Sequence, residues 1–194
     1  MSTLLQSLAT GFEGDAADRA ALDATLGDGL PGPRSEAWKY TPLRALERRE
    51  FTPASAAVEI DPALLEGIPA PRLVFVNGRY AEALSDREGL DGAIEVATEA
   101  VSGDDPRYAG ADAVFARLAT NLARQGVRVT VPAGTRVERP LQLVLVGAPQ
   151  DGAELAWHLR HRIELGAEAR LAIAEHHLVA GEHRHLDNAL MEIT

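Results

Sequence analysis

Gly126-Val-Arg-Val-Thr-Val-Pro-Ala-Gly-Thr-Arg-Val-Glu-Arg-Pro-Leu-Gln-Leu-Val-Leu-Val-Gly147 decides the fold. Val127, Val129 and Val131 alternate with Arg128 and Thr130, and Leu141, Leu143 and Leu145 repeat the alternation after a Pro-Ala-Gly turn. A period of two places these apolar side chains on one face of a strand. The pattern continues through Leu155, Trp157 and Leu159 and returns at Leu171 and Ile173, separated by turns at Gly147-Ala-Pro149 and Leu165-Gly-Ala-Glu168. Val131–Val137 can be laid over Ile163–Ala169 at a separation of 32 residues, from Gly134 to Gly166. Short strands in an imperfect repeat of that size are expected to stack as coils. The predicted fold is therefore mainly β, a right-handed parallel β-helix (β-solenoid) preceded by an α-helical region. A sandwich or a cupin-like barrel has nearly the same strand pattern.

Upstream the period differs. Leu4, Leu5 and Leu8, then Ala17, Ala20, Ala21 and Ala24 with Leu22, recur at helical spacing until Gly27, Gly29, Pro31, Gly32 and Pro33 intervene. A short helix is expected after Thr41, with its hydroxyl as cap and Pro42 in the first turn. Between the two lies Arg34-Ser-Glu-Ala-Trp-Lys-Tyr-Thr41, whose Trp38 and Tyr40 are expected to pin the helices onto the next layer. A short helix near Asp61 to Glu66 interrupts the proline-rich stretch from Pro53 to Pro71. Leu73-Val-Phe-Val76 followed by Asn77-Gly78 reads as a strand entering a hairpin, and Ala93 to Ala97 as a second short strand. Ala111, Val114, Phe115, Leu118 and Leu122 form one helical face that Gly126 is expected to end. Three parts result: a helical region with linker over 1–70, strands and an amphipathic helix over 71–125, and the first coils over 126–194. The sequence stops inside what reads as a strand, Leu190 to Thr194, as a fragment of a longer chain would.

The 194 residues are 46% hydrophobic, 25% charged, free of cysteine and carry a formal charge of −10. No thiolate nucleophile, zinc ribbon or all-cysteine cluster ligation is open to such a chain. The negative charge speaks against a broad nucleic-acid or anionic-membrane surface. No run approaches the roughly 18 apolar residues of a membrane span, and Met1 to Gly14 lacks the features of a signal peptide. A cytoplasmic, non-membrane protein is expected. Gly27-Asp-Gly29 lacks the lysine and strand-to-helix setting of a phosphate loop, and no serine sits in a Gly-x-Ser-x-Gly elbow. The acidic runs Asp15 to Asp18 and Gly103 to Asp105 read as solvated surface.

All six histidines, His158, His161, His176, His177, His183 and His185, lie within one window of 28 residues. His161 shares the phase of Trp157, Leu159 and Ile163, while Glu175 and His177 continue that of Leu171 and Ile173. A divalent metal held by His183, His185 and Glu175 is one reading, since alternate strand residues project to one side and imidazole suits zinc, iron or nickel. On that reading the chain is a cupin-like metal-dependent enzyme. A stand-alone adhesive or carbohydrate-binding β-helix is disfavoured by the aromatic-poor coils.

Three blocks together resemble the SufB/SufD family of iron–sulfur cluster assembly proteins. Glu36-x-Trp38-Lys39-Tyr40-Thr41 is similar to a signature of the SufD branch. Phe115 to Leu141 resembles the family's helix-then-coil block, although Leu118-Ala-Thr-Asn121 replaces its more usual leucine-asparagine pair. Leu171-Ala-Ile-Ala-Glu-His176 and Asn188-Ala-Leu-Met-Glu192 resemble the rungs that follow. The resemblance runs from about residue 34 to 194. It implies a helical N-terminal part, a right-handed parallel β-helix and a C-terminal helical domain of which this sequence holds no counterpart. It also implies a non-enzymatic scaffold that works with SufB and the ATPase SufC; self-association as a homodimer in isolation is open. No cofactor is expected on this chain alone, and an iron–sulfur cluster would pass transiently through a site shared between subunits. His176, where the family has Glu-His, reads as structural, and no functional residue of the family maps onto this sequence.

Overall fold

A computed structural model describes residues 2–54, 57–90, 94–99 and 105–194. The chain opens with helices α1 (Thr3–Ala9), α2 (Ala16–Asp28) and the single turn α3 (Arg44–Glu47). Strands β1 (Thr52–Pro53), β2 (Arg72–Val76), β3 (Arg79–Tyr80) and β4 (Glu95–Glu99) precede α4 (Val114–Leu122). Then come β5 (Gln125–Val131), β6 (Leu141–Gly147), β7 (Leu155–Leu165), β8 (Ile173–Val179) and β9 (His185–Ile193). One sheet runs β1-β7-β5-β4 with β9 also paired to β7, and the other runs β3-β2-β6-β8.

The parallel β-helix expected over 126–194 has to be corrected. Both sheets are mixed, because β4 pairs antiparallel with β5 and β3 antiparallel with β2. With α1, α2 and α4 packed on one of them, the described residues form a mixed α/β fold. Apolar alternation reports which face a residue takes and carries no information on strand direction. Within β5 to β9 the pairings are parallel: β5 with β7, β6 with β8 and β7 with β9. That direction does not suit the antiparallel cupin barrel. The repeat itself is offset by two residues from its sequence alignment, since Val131 lies beside Leu165 and Arg136 beside Arg170.

Three apolar layers follow from the sequence. Leu73, Phe75, Val127, Val129, Leu143, Leu145, Leu159 and Ile163 meet between the sheets. Leu4, Leu5, Leu8, Leu22, Leu26, Val114, Leu118 and Leu122 seal the helices against the far side of β7 at Ala156. Val74, Val76, Val144 and Val146 face outward from the second sheet and are covered by Leu65 and its neighbours. Strands β2 and β6 are thus buried on both faces, which is why they read as unbroken apolar runs. Each fully buried side chain of this kind contributes about 1.5–3 kcal/mol.

Several local readings differ in detail. In α2 the buried residues are Leu22, Thr25 and Leu26, whereas Ala17, Ala20 and Ala24 face solvent. Asp15 and Asp18 close that helix's first turn as a capping box, a use of the acidic run beyond surface charge. Thr41 does not cap α3, which begins after Leu43. Asp61 caps a 3₁₀ turn at Pro62–Leu65, where a short helix was expected. Trp38 does pin the N-terminal region, its ring tilted at 45° against Phe115 with centroids 5.4 Å apart and its indole N–H donating to the Asp112 carbonyl at 3.0 Å. Tyr40 does not, being 87% exposed. Asn77 and Gly78 form the expected two-residue hairpin turn, both with positive φ. Ala93, Gly103 and Asp104 lie outside the described residues.

Candidate functional site

The histidine window spans β7, β8 and β9 and separates into two sets. His161 points between the sheets with Leu159 and Ile163 and is fully buried; its Nδ1 accepts the Val127 amide at 3.1 Å. His158 lies one strand position out of phase, on the opposite face. Its Nδ1 is 2.8 Å from Asn188 Nδ2, which also donates to the Phe115 carbonyl of α4 at 2.8 Å. With each Nδ1 accepting, the ring proton sits on Nε2, which has no hydrogen-bond partner among the described residues. Burial pushes both imidazoles down to about 4, so both are neutral at pH 7. They are structural acceptors.

The other four lie along the β8 and β9 side of the sheets. His176 is 2.7 Å from the Gln142 amide oxygen. His177 sits between two carboxylates, Glu175 Oε1 at 2.6 Å from Nε2 and Asp187 Oδ2 at 3.3 Å from Nδ1. His183 Nδ1 is 3.3 Å from the Gly181 carbonyl, and His183 Nε2 is 3.0 Å from His185 Nδ1. The His185 ring lies on Trp157, with centroids 4.8 Å apart and planes inclined by 19°. Burial lowers the His185 pKa, and the nearby His183 and His177 add to the effect. Burial raises that of Asp187.

Of the sequence-derived metal set, His183 and His185 are therefore brought together, while the Glu175 carboxylate is engaged by His177. Among the described residues no three His, Cys, Asp or Glu side chains are grouped to hold a metal ion. Glu175 continues the phase of Ile173 as read, yet it is exposed, because β8 and β9 bound an open apolar hollow of about 330 Å³. Ile163, Leu165, Leu171, Ile173, Met191 and Ile193 line it.

Sequence reasoning missed a buried ionic knot. Arg160, 3% exposed at its side chain, donates from Nε to Glu192 Oε2 at 2.8 Å and lies 3.2 Å from Asp105 Oδ2 through Nη2. Arg107 reaches Asp105 Oδ2 at 2.6 Å and also contacts Glu192. The Arg107 guanidinium, bonded to the Asp105 carboxylate, holds that acid well below the usual carboxylate range. Asp105 is thus not solvated surface, contrary to the reading of its acidic run. The only sequence sign was Arg160 sharing the phase of Ala156 and His158, a charge on a face that is otherwise covered.

A cleft of about 540 Å³ opens where α1, β1, the β2–β3 turn, α4 and β7 meet, with Arg79, Arg124, Gln125, Trp157 and His158 on its walls. Arg124 is held there by Glu13 at 2.9 Å and the Gly11 carbonyl at 2.9 Å.

No family model matches the chain. Two curated proteins do. The chain is 36% identical over 181 residues to the iron–sulfur cluster assembly protein SufD of Escherichia coli strain K12, covering 89% of this chain and 41% of that protein. It is 28% identical over 131 residues to an iron–sulfur cluster assembly SufBD family protein of Synechocystis, covering 60% of this chain and 29% of that one. The chain thus spans less than half the length of the relatives it matches. An alignment of that identity across nearly the whole chain, joined to the motifs at Glu36 to Thr41 and Phe115 to Leu141, places the chain in the SufB/SufD family of iron–sulfur cluster assembly proteins.

Proposed function

We propose that this chain works as a non-enzymatic scaffold subunit in cytoplasmic iron–sulfur cluster assembly, in a complex with SufB and SufC. The observation that carries the reading is the 36% identity to the Escherichia coli assembly protein over 181 residues. Its chemistry is compatible with that role. A chain without cysteine offers no thiolate to iron, so a cluster held against it would take imidazole or carboxylate donors here and the remaining ligands from another subunit. Parallel strands buried on both faces give a rigid body, and rigid bodies suit the positioning of partners better than loops do. The cluster is cargo on this reading.

Co-purification tests it. Tag-free chain is mixed with SufB and SufC subunits and resolved by size. A stable ternary species is the expected result. Failure of the chain to associate with either subunit at micromolar concentration overturns the proposal.

A further inference from the structure

We propose that the cleft between α1, α4 and β7 binds a small organic anion, its oxyanion head at Arg124 and Gln125 and its apolar part against Leu8, Leu122 and Ala156. The inference goes beyond the assembly reading and does not depend on it. The cleft holds about 540 Å³. Small-molecule sites run from roughly 300 to 1,000 Å³, with mostly apolar walls and a few placed polar groups. Leu8, Leu122, Ala156 and Trp157 supply the apolar wall here. Two cations, Arg79 and Arg124, stand on the same wall against one carboxylate, Glu13. His158 adds no charge at pH 7, since burial pushes its imidazole down to about 4. The cleft is therefore locally cationic in a chain whose formal charge is −10.

The hydrogen-bonding groups left for a ligand point to the same chemistry. Asn77 spends both ends of its amide on Ala148, the oxygen on its N–H at 2.8 Å and the nitrogen on its carbonyl at 3.0 Å. Gln125 Oε1 accepts the Tyr80 amide, and this contact fixes the sense of the Gln125 side chain so that its NH₂ is the end that remains. Arg124 meets Glu13 through Nη1 at 2.9 Å and the Gly11 carbonyl through Nη2 at 2.9 Å. A guanidinium carries five N–H donors, so these two contacts orient the group and leave donors over. Thr10 keeps an acceptor, its hydroxyl proton going to the Ser7 carbonyl at 2.6 Å. Among the described residues of the wall, donors thus outnumber the acceptors still open, and an oxyanion answers that excess. Arg124 and Gln125 are neighbours in the chain, at the entry to β5, so both are carried by the rigid sheet.

The test titrates the full chain, without a histidine tag, with hexanoate and with hexyl phosphate, followed by amide NMR. Hexanol and inorganic phosphate serve as the apolar half and the charged half alone. Saturable shifts at the Gly78, Gln125 and His158 amides are expected with an anion, and the tighter of the two names the head group. Arg124→Gln should weaken binding about tenfold, and so should Gln125→Glu, which keeps an acceptor for the Tyr80 amide. Glu13→Gln, at a side chain 84% exposed, releases Arg124 from its carboxylate and should tighten binding, which a damaged fold would not do. Arg128→Gln, at an exposed position of β5 outside the cleft, should bind as the parent does. The amide spectrum shows whether each variant is folded. No saturable binding of either anion at about 10 mM overturns the site, as does parental affinity in folded Arg124→Gln and Gln125→Glu. Hexanol binding as tightly as hexanoate overturns the anionic head, and inorganic phosphate binding as tightly as hexyl phosphate overturns the apolar subsite.

Discussion

The Val127 amide donates to Nδ1 of His161 across 3.1 Å, taking a side chain where the strand ladder would offer a carbonyl. The β5–β7 register runs from Gln125 beside Leu159 to Arg128 beside Arg162, and this bond fills the interval between them. Replacing His161 by Phe keeps the ring volume and removes the acceptor, leaving a buried N–H without a partner. The expected cost is about 1–3 kcal/mol. His161→Gln, whose amide oxygen can accept the same bond, should recover part of it. Urea unfolding of the two variants checks this; equal stability of His161→Phe and the parent would show the bond to be idle.

Acid should destabilise the chain from about pH 6.5 downward, through its buried imidazoles. Burial lowers His158 and His161 from 6.5 to about 4, so the unfolded state binds protons in that interval that the folded state refuses. Stability attached to these groups is complete above pH 6.5 and is lost as the pH falls through about 4. The shift corresponds to roughly 3 kcal/mol for each imidazole. Asp187, pushed up by burial, acts in the opposite sense, so comparison with a variant isolates the histidines. The measurement is unfolding free energy against pH from 8 to 4, and His161→Gln should show the shallower slope. Identical slopes would contradict buried neutral imidazoles.

What the sequence made legible was face and period, and what it hid was direction and distance. Alternation found β5, β6 and β7 and put His161 on the inner face, because a strand's phase is a property of neighbouring residues. The Asn77-Gly78 turn announced the antiparallel β2–β3 hairpin, but whether β4 joins β5 as an antiparallel neighbour depends on where the chain returns from, and no local pattern encodes that. Gly126 illustrates the same limit. It was read as the end of α4, yet α4 stops at Leu122 and Gly126 lies inside β5. His183 with His185 and Glu175 with His177 both stand at a spacing of two; what the sequence hid was that each pair would engage internally and leave Glu175 apart from the other two histidines. The Asp105–Arg107 pair, Arg160 and Glu192 lie far apart in the chain, and only tertiary contact reveals that they form one unit.

That unit predicts an asymmetry between single and double substitutions. Glu192→Gln leaves Arg160 buried with its charge only partly compensated, and loss of about 3–5 kcal/mol is expected. Arg160→Met combined with Glu192→Leu removes both charges, and the pair should cost less than Glu192→Gln alone. Thermal unfolding of the three proteins measures the difference. If the double variant is the least stable, the knot stabilises by more than mutual compensation of charge.

Gly126→Ala is the most damaging small change the fold admits. A Cβ at this position would lie 1.7 Å from the carbonyl oxygen of Arg160 and 2.5 Å from its carbon, both backbone atoms that no rotamer can move aside. Relief would require β5 and β7 to separate, and that motion would strain the Val127–His161 bond one residue along and the Arg160 ion pairs beneath it. Overpacking in a tolerant core costs about 1–3 kcal/mol. Here the obstacle is backbone, and the loss should exceed that range and appear as insoluble or partly unfolded protein. Where soluble material is recovered, hydrogen exchange at the Val127 amide should be faster than in the parent, because the strand separation acts there first. A Gly126→Ala protein within about 1 kcal/mol of the parent, with Val127 still protected, would show that β5 and β7 do not approach as closely as the structure places them.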